Sequence, residues 1–308
     1  MGWDVLQFLL APFVATLVIA GIHAYLGVHV VERGVIFVDL SLAQIAAFGA
    51  TIAILMPWSG GDPHSAAVYW TSLAFTFIGA GIFATIRSRH ARIPQEAIIG
   101  ISYAVASAAT ILALSKSSSE GEHLKDMLVG NLLSVSWTEI WQTAILYLFI
   151  GAFHFVYRKR FLAISMNPEA VEASGVSLRL WDFLFYASFG FVVTRSVALA
   201  GVLLVFCYLI VPSVAAMLYA DKIGPRLAIG WTMGTIVSAL GVWLSLQLDL
   251  PTGATIVVTF GAALILMAAV RPLFRRVTAP QTAANPGPPG MNRATEAFRQ
   301  GTHGSHGH

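Results

Sequence analysis

Apolar residues along this chain do not alternate with polar ones; they gather into nine long runs parted by short polar or basic stretches. The runs cover 8–26, 35–56, 67–86, 97–114, 140–157, 180–193, 197–219, 227–246 and 252–270. A stretch of roughly 20 apolar residues is what crosses a bilayer as a helix, and runs of this length predict helices rather than strands. Only Thr194-Arg195-Ser196 parts the sixth run from the seventh, so eight spans is the alternative. Residues 127–135 form a further apolar run, too short to cross, which predicts a re-entrant or interfacial helix.

Composition turns this pattern into a class. Of 308 residues 57% are hydrophobic and 11% charged, whereas soluble domains carry about 25% charge. So few charges cannot clothe a soluble surface, and so much apolar material excludes a disordered chain. The expectation is an all-α, polytopic integral membrane protein with about nine transmembrane helices (eight possible), whose partner throughout is the lipid bilayer. Residues 1–276 form the membrane domain. Residues 277–308, with Pro280, Pro286, Pro288, Pro289 and a His-ending terminus, form a disordered tail. Residues 1–7 contain Asp4 and lack a basic segment, so the first run is expected to be a span and not a cleavable signal.

Charge then supplies an orientation. In the nine-span arrangement Arg33, Arg87, Arg89, Arg92, Arg158, Lys159, Arg160, Arg179, Lys222, Arg226, Arg271, Arg275 and Arg276 fall on one side. Only Lys116, Lys125 and Arg195 fall on the other. The positive-inside rule therefore puts the N-terminus outside and the C-terminus in the cytoplasm. The net charge of +3 is loop charge, not a nucleic-acid footprint. Cys207 is the only cysteine and sits in an apolar run, which leaves it outside disulfide chemistry. No Walker A pattern occurs, so any ATP hydrolysis belongs to a partner chain. No clustered catalytic constellation occurs, so no catalytic residue is assigned, and no permanently bound cofactor is expected.

Polar groups inside apolar runs are functional candidates, because each costs free energy in hydrocarbon. In the second run Ser41 and Gln44 share a helix face, while Asp39 lies about 140° from Gln44. Asp39 stands either at the cytoplasmic end, solvated or paired with Arg33, or in a permeation path. Small residues around it (Ala43, Ala46, Ala47, Gly49) permit close helix packing. His23 and His154 are expected to make helix–helix hydrogen bonds, and Asp182 to cap the sixth span. The outer loop 120–126 gathers Glu120, Glu122, His123 and Asp126, a set able to hand on a divalent cation; a plainly solvated loop is its other reading. His303, His306 and His308 are weak metal candidates in the tail. The inner loop 163–176 predicts a short helix, with Asn167 as cap, Pro168 in the first turn, Glu169 complementing the dipole, and Gly175 ending it. Such a helix outside the bundle implies a docked cytoplasmic partner.

With these residues in place, the sequence resembles the permease subunit of zinc/manganese-type metal ABC importers. The resemblance rests on Val129–Ser136, on Asn167-Pro168-Glu169-Ala170 through Ser174-Gly175-Val176, on Ala200–Leu204 leading to Ile210–Ala216, and on Leu248–Thr255. It implies a divalent metal as cargo, zinc first, with Asn167, Pro168, Glu169, Ala170 and Gly175 coupling to a separate ABC ATPase. It also implies a homodimer, an extracellular metal-binding protein and residence in the bacterial inner membrane. Iron or a metal chelate is the alternative cargo, and a secondary transporter needing no ATPase the alternative mechanism. The family's second span carries an Asp and, four residues on, a His; ungapped alignment puts Leu40 and Gln44 at those positions, with Asp39 displaced by one.

Overall fold

The computed structural model describes residues 3–57, 65–86, 93–115 and 132–278. Among these residues every regular element is a helix: α1 Trp3–Arg33, α2 Val38–Leu55, α3 Ala66–Ile86, α4 Gln95–Leu114, α5 Trp137–Val156, α6 Arg158–Met166, α7 Pro168–Ala173, α8 Leu178–Ala200, α9 Val202–Met217, α10 Ile223–Leu248 and α11 Thr252–Thr278, with a 3₁₀ turn at Leu132–Ser134. The protein is an all-α polytopic membrane protein. Among the described residues eight helices are long and apolar enough to cross a membrane, and α9 is a shorter apolar one. Sixteen residues rise about 24 Å, against a hydrocarbon thickness of about 30 Å. Residues 1–269 form one compact unit, and of 270–308 the described part is the end of α11.

The sixth and seventh runs do not part where the polar triplet suggested. α8 continues through Thr194, Arg195 and Ser196 and stops at Gly201, whose φ of +78° is open to glycine but strained for other residues. The triplet stays helical because each side chain finds a partner. Arg195 donates to Thr143 Oγ1 at 3.0 Å and Gln142 Oε1 at 3.1 Å, Thr194 meets Thr76 at 3.2 Å, and Ser196 meets the Tyr147 hydroxyl. Of the expected short helix at 127–135, the described residues contain only the 3₁₀ turn.

Close approach between helices depends on glycine. A Cβ on Gly27 of α1 would sit 1.9 Å from the Leu209 carbonyl oxygen of α9, and one on Gly49 of α2 2.8 Å from Phe75 Cβ of α3. These contacts put α1 against α9 and α2 against α3, backbone to neighbour, which is how helices gain packing energy without a hydrophobic drive in lipid. Two apolar clusters result. One is centred on α2, α3 and α8 with parts of α1, α4, α5, α6 and α9, and the other on α1, α9, α10 and α11 with the ends of α5 and α8. α1, α5, α8 and α9 belong to both. On its other side α1, α5, α6 and α10 enclose an apolar groove of about 630 Å³.

Candidate functional site

The candidate path is built on α2. Its N-terminus follows a turn at Gly34, φ +67°, and its opening residue Phe37 has no side chain to cap with. Glu96 at the start of α4 does this instead, accepting from Phe37 N at 2.9 Å. Small residues then let neighbours close in: Ala43, Ala46, Ala47 and Gly49 are all buried, and Ser72 of α3 donates to Ala46 O at 2.8 Å. Most of α2 is consequently buried, with Leu40, Ile45, Phe48 and Ile52 half-buried and Leu55 exposed. Asp39 (1% exposed), Ser41 (0%) and Gln44 (6%) are all interior despite their different helix faces.

Asp39 is therefore neither solvated nor paired with Arg33. Its Oδ1 has no hydrogen-bond partner, and neither does Ser41 Oγ. Buried polar groups are ordinarily satisfied, and an exception points to water, an ion or a functional role. His123 and Asp126, like His303, His306 and His308, lie outside the described residues. Among the described residues no group of three or more His, Cys, Asp or Glu gathers at metal-binding distance.

A second polar group sits at the basic end of the bundle, and most of it was not visible as a site in the sequence. Arg33 pairs with Asp182 at 2.6 Å, both side chains sealed from solvent. Asp182 is thus an ion-pair partner, and the α8 cap is Ser177, whose Oγ accepts from Leu180 N at 3.5 Å. Arg33 also donates to Ser165 Oγ at 2.9 Å, and its guanidinium lies 4.0 Å from the Phe185 ring centroid. Glu32, the residue before it, pairs with Arg226 of α10. Arg33 and Arg226, read as loop charges, are hence ion-pair partners within the bundle. The spacing of His29 and Arg33, one helical turn apart, was the signal available beforehand.

The histidines divide. His154 meets Ser188 Oγ of α8 at 2.8 Å, the expected helix–helix bond, but His23 bonds Ile19 O of its own helix at 2.8 Å. Ser188 gives its one hydroxyl proton to Phe185 O, so His154 Nε2 must be the donor, leaving Nδ1 bare. Cys207 is buried and free.

α7 has the expected construction. Asn167 Oδ1 accepts from Ala170 N at 3.2 Å, Pro168 opens the first turn, and Gly175 (φ +81°) ends the segment. The helix is six residues long, none of them buried, and Glu169 and Ala170 face outward.

A helical bundle with an interior carboxyl group and a short, capped, solvent-exposed helix agrees with the resemblance to metal ABC-transporter permeases drawn from the sequence. The chain belongs to the ABC 3 transport family, whose model matches residues 5–271. It is 24% identical over 253 residues to the manganese transport system membrane protein MntC of Listeria monocytogenes (82% of this chain, 86% of that one). It is likewise 24% identical over 260 residues to the probable iron transport system membrane protein of Haemophilus influenzae (84% and 92%). Its fold is similar to that of PsaBC from Streptococcus pneumoniae in complex with Fab, with a TM-score of 0.73 at 20% identity over 90% of this chain and 98% of that one. It is a multi-pass membrane permease of that family.

Proposed function

We propose that this chain is the membrane subunit of an ATP-driven importer of divalent transition metals, working as a homodimer in the bacterial inner membrane, N-terminus outside. Separate ATPase subunits dock on α7 through Asn167, Pro168, Glu169, Ala170 and Gly175, and an extracellular metal-binding protein delivers the ion. The observation that carries the reading is α7 itself, a capped helix of six residues, none of them buried, that rests on the bundle through Val171. Metal passes along α2, where Asp39, Ser41 and Gln44 supply oxygen donors; His123 and Asp126 at the outer loop are its first contacts.

The cargo follows from donor chemistry. Carboxylate and amide oxygens suit manganese, whereas imidazole suits zinc and iron. With Gln44 standing where the resembled family has His, α2 favours manganese over the zinc expected from the resemblance. The name of one relative, a manganese transport system membrane protein, supports the same direction, whereas another is named for iron.

Reconstitution with the ATPase and the binding protein, followed by parallel uptake of manganese, iron and zinc, tests this. Manganese should accumulate fastest, and uptake of none of the three would overturn the metal reading. Replacing Glu169 and Gly175 should abolish co-purification of the ATPase. Intact association in that variant would rule out docking on α7.

A further inference from the structure

Between α6 and α8 the chain leaves the bundle, forms α7 and returns. Both limbs of that excursion end on one side chain. Arg33, the last residue of α1, donates Nε to Ser165 Oγ on the incoming limb at 2.9 Å and Nη1 to Asp182 Oδ1 on the outgoing limb at 2.6 Å. Ser165 lies just ahead of the Asn167 cap, and Asp182 lies in the opening turns of α8.

The donors and acceptors leave little freedom. Ser165 has a single hydroxyl proton, and Phe161 O takes it at 2.9 Å. The Ser165 oxygen therefore accepts both from Arg33 Nε–H and from His29 Nδ1–H, the latter at 2.9 Å. Phe185 of α8 covers the guanidinium face. Around this point Phe161 of α6 stacks on His154 of α5 at 4.4 Å and meets Trp181 of α8 at 5.5 Å. A lysine could keep the charge here but not the fork that reaches two acceptors while stacking on a ring.

We propose that Arg33 is a positioning residue for energy coupling: with Ser165 and Asp182 it forms the fulcrum that carries displacement of α7 into α1 and α8. The proposal rests on the reading of α7 as the ATPase-docking element. Separating a sealed ion pair strands an uncompensated charge, so the two limbs move with the end of α1 instead of bending independently. α1 in turn is locked to α9, because at Gly27 no side chain separates it from the Leu209 backbone. A push on α7 thus reaches helices of both apolar clusters. Glu32 pairs instead with Arg226 of α10.

The test uses the permease assembled with its ATPase and binding protein in proteoliposomes, with Mn(II) uptake and ATP hydrolysis read in the same vesicles. Arg33→Lys and Asp182→Asn are expected to assemble and to hydrolyse ATP, while Mn(II) taken up per ATP falls about tenfold. Ser165→Ala, which leaves the ion pair whole, lowers the ratio less, and Glu32→Gln keeps the wild-type ratio. A merely structural role would reduce assembly, hydrolysis and uptake together at constant ratio; that result overturns the proposal. So does an equal loss of ratio in Glu32→Gln. Should the charge variants fail to assemble, Ser165→Ala decides alone, and a wild-type ratio there overturns it. A wild-type assembly that hydrolyses ATP but takes up none of manganese, iron and zinc fails differently: it removes the transport reading underneath.

Discussion

Asp39 carries a cost that folding alone gives no reason to retain. Its carboxyl group is buried with one oxygen unmatched, and a buried unsatisfied polar group costs about 1–3 kcal/mol. Asp39→Asn should therefore leave thermal stability in detergent unchanged or raise it by about 1 kcal/mol, since an amide is cheaper to desolvate. Metal uptake by the same variant should fall by more than about tenfold. Loss of stability together with uptake would mark Asp39 as a structural residue. Composition and spacing made Asp39, Ser41 and Gln44 legible as candidates. They did not reveal that Arg33 belongs to Asp182, because that pairing joins residues 149 apart in sequence.

At the scale of elements, glycines decide which helices touch. Gly27→Ala places a methyl group inside the Leu209 carbonyl, and since α1 and α9 can yield only by parting, the loss should be on the order of 3 kcal/mol. Gly21→Ala, on the same helix with nothing within 4 Å of the new Cβ, should stay within about 0.5 kcal/mol of wild type. Thermal unfolding of the two variants side by side checks this, and equal effects would remove the α1–α9 contact as the cause. The break between α8 and α9 has the same logic. Hydropathy dips at Thr194-Arg195-Ser196, yet the helix ends at Gly201, because hydrogen-bond partners rescue the triplet whereas the backbone at Gly201 has left the helical region.

For the whole molecule, orientation is the property that docking depends on. Cys207 is buried, so maleimide should not react with the native wild-type chain. That silence makes single-cysteine reporters clean. Ser174→Cys beside α7 should label only after the inner face is opened, and Asp249→Cys between α10 and α11 should label from outside in intact cells. Reversed labelling would invert the topology and detach α7 from any cytoplasmic ATPase.

Sequence alone yielded the membrane class, eight or nine apolar spans, the clustering of basic residues in alternate connections, and a short capped helix within 163–176. These are local properties: run length against bilayer thickness, basic residues against the membrane, and cap and turn residues within a few positions of one another. It took the folded arrangement of helices to show that Asp39, Ser41 and Gln44 are all interior, that α1 lies against α9 at Gly27, and that one arginine holds both limbs of the α7 excursion. Each of those depends on which distant helices approach one another. In a bilayer that choice is made by small residues and interior polar pairs, whose partners lie too far along the chain for any periodic pattern to record.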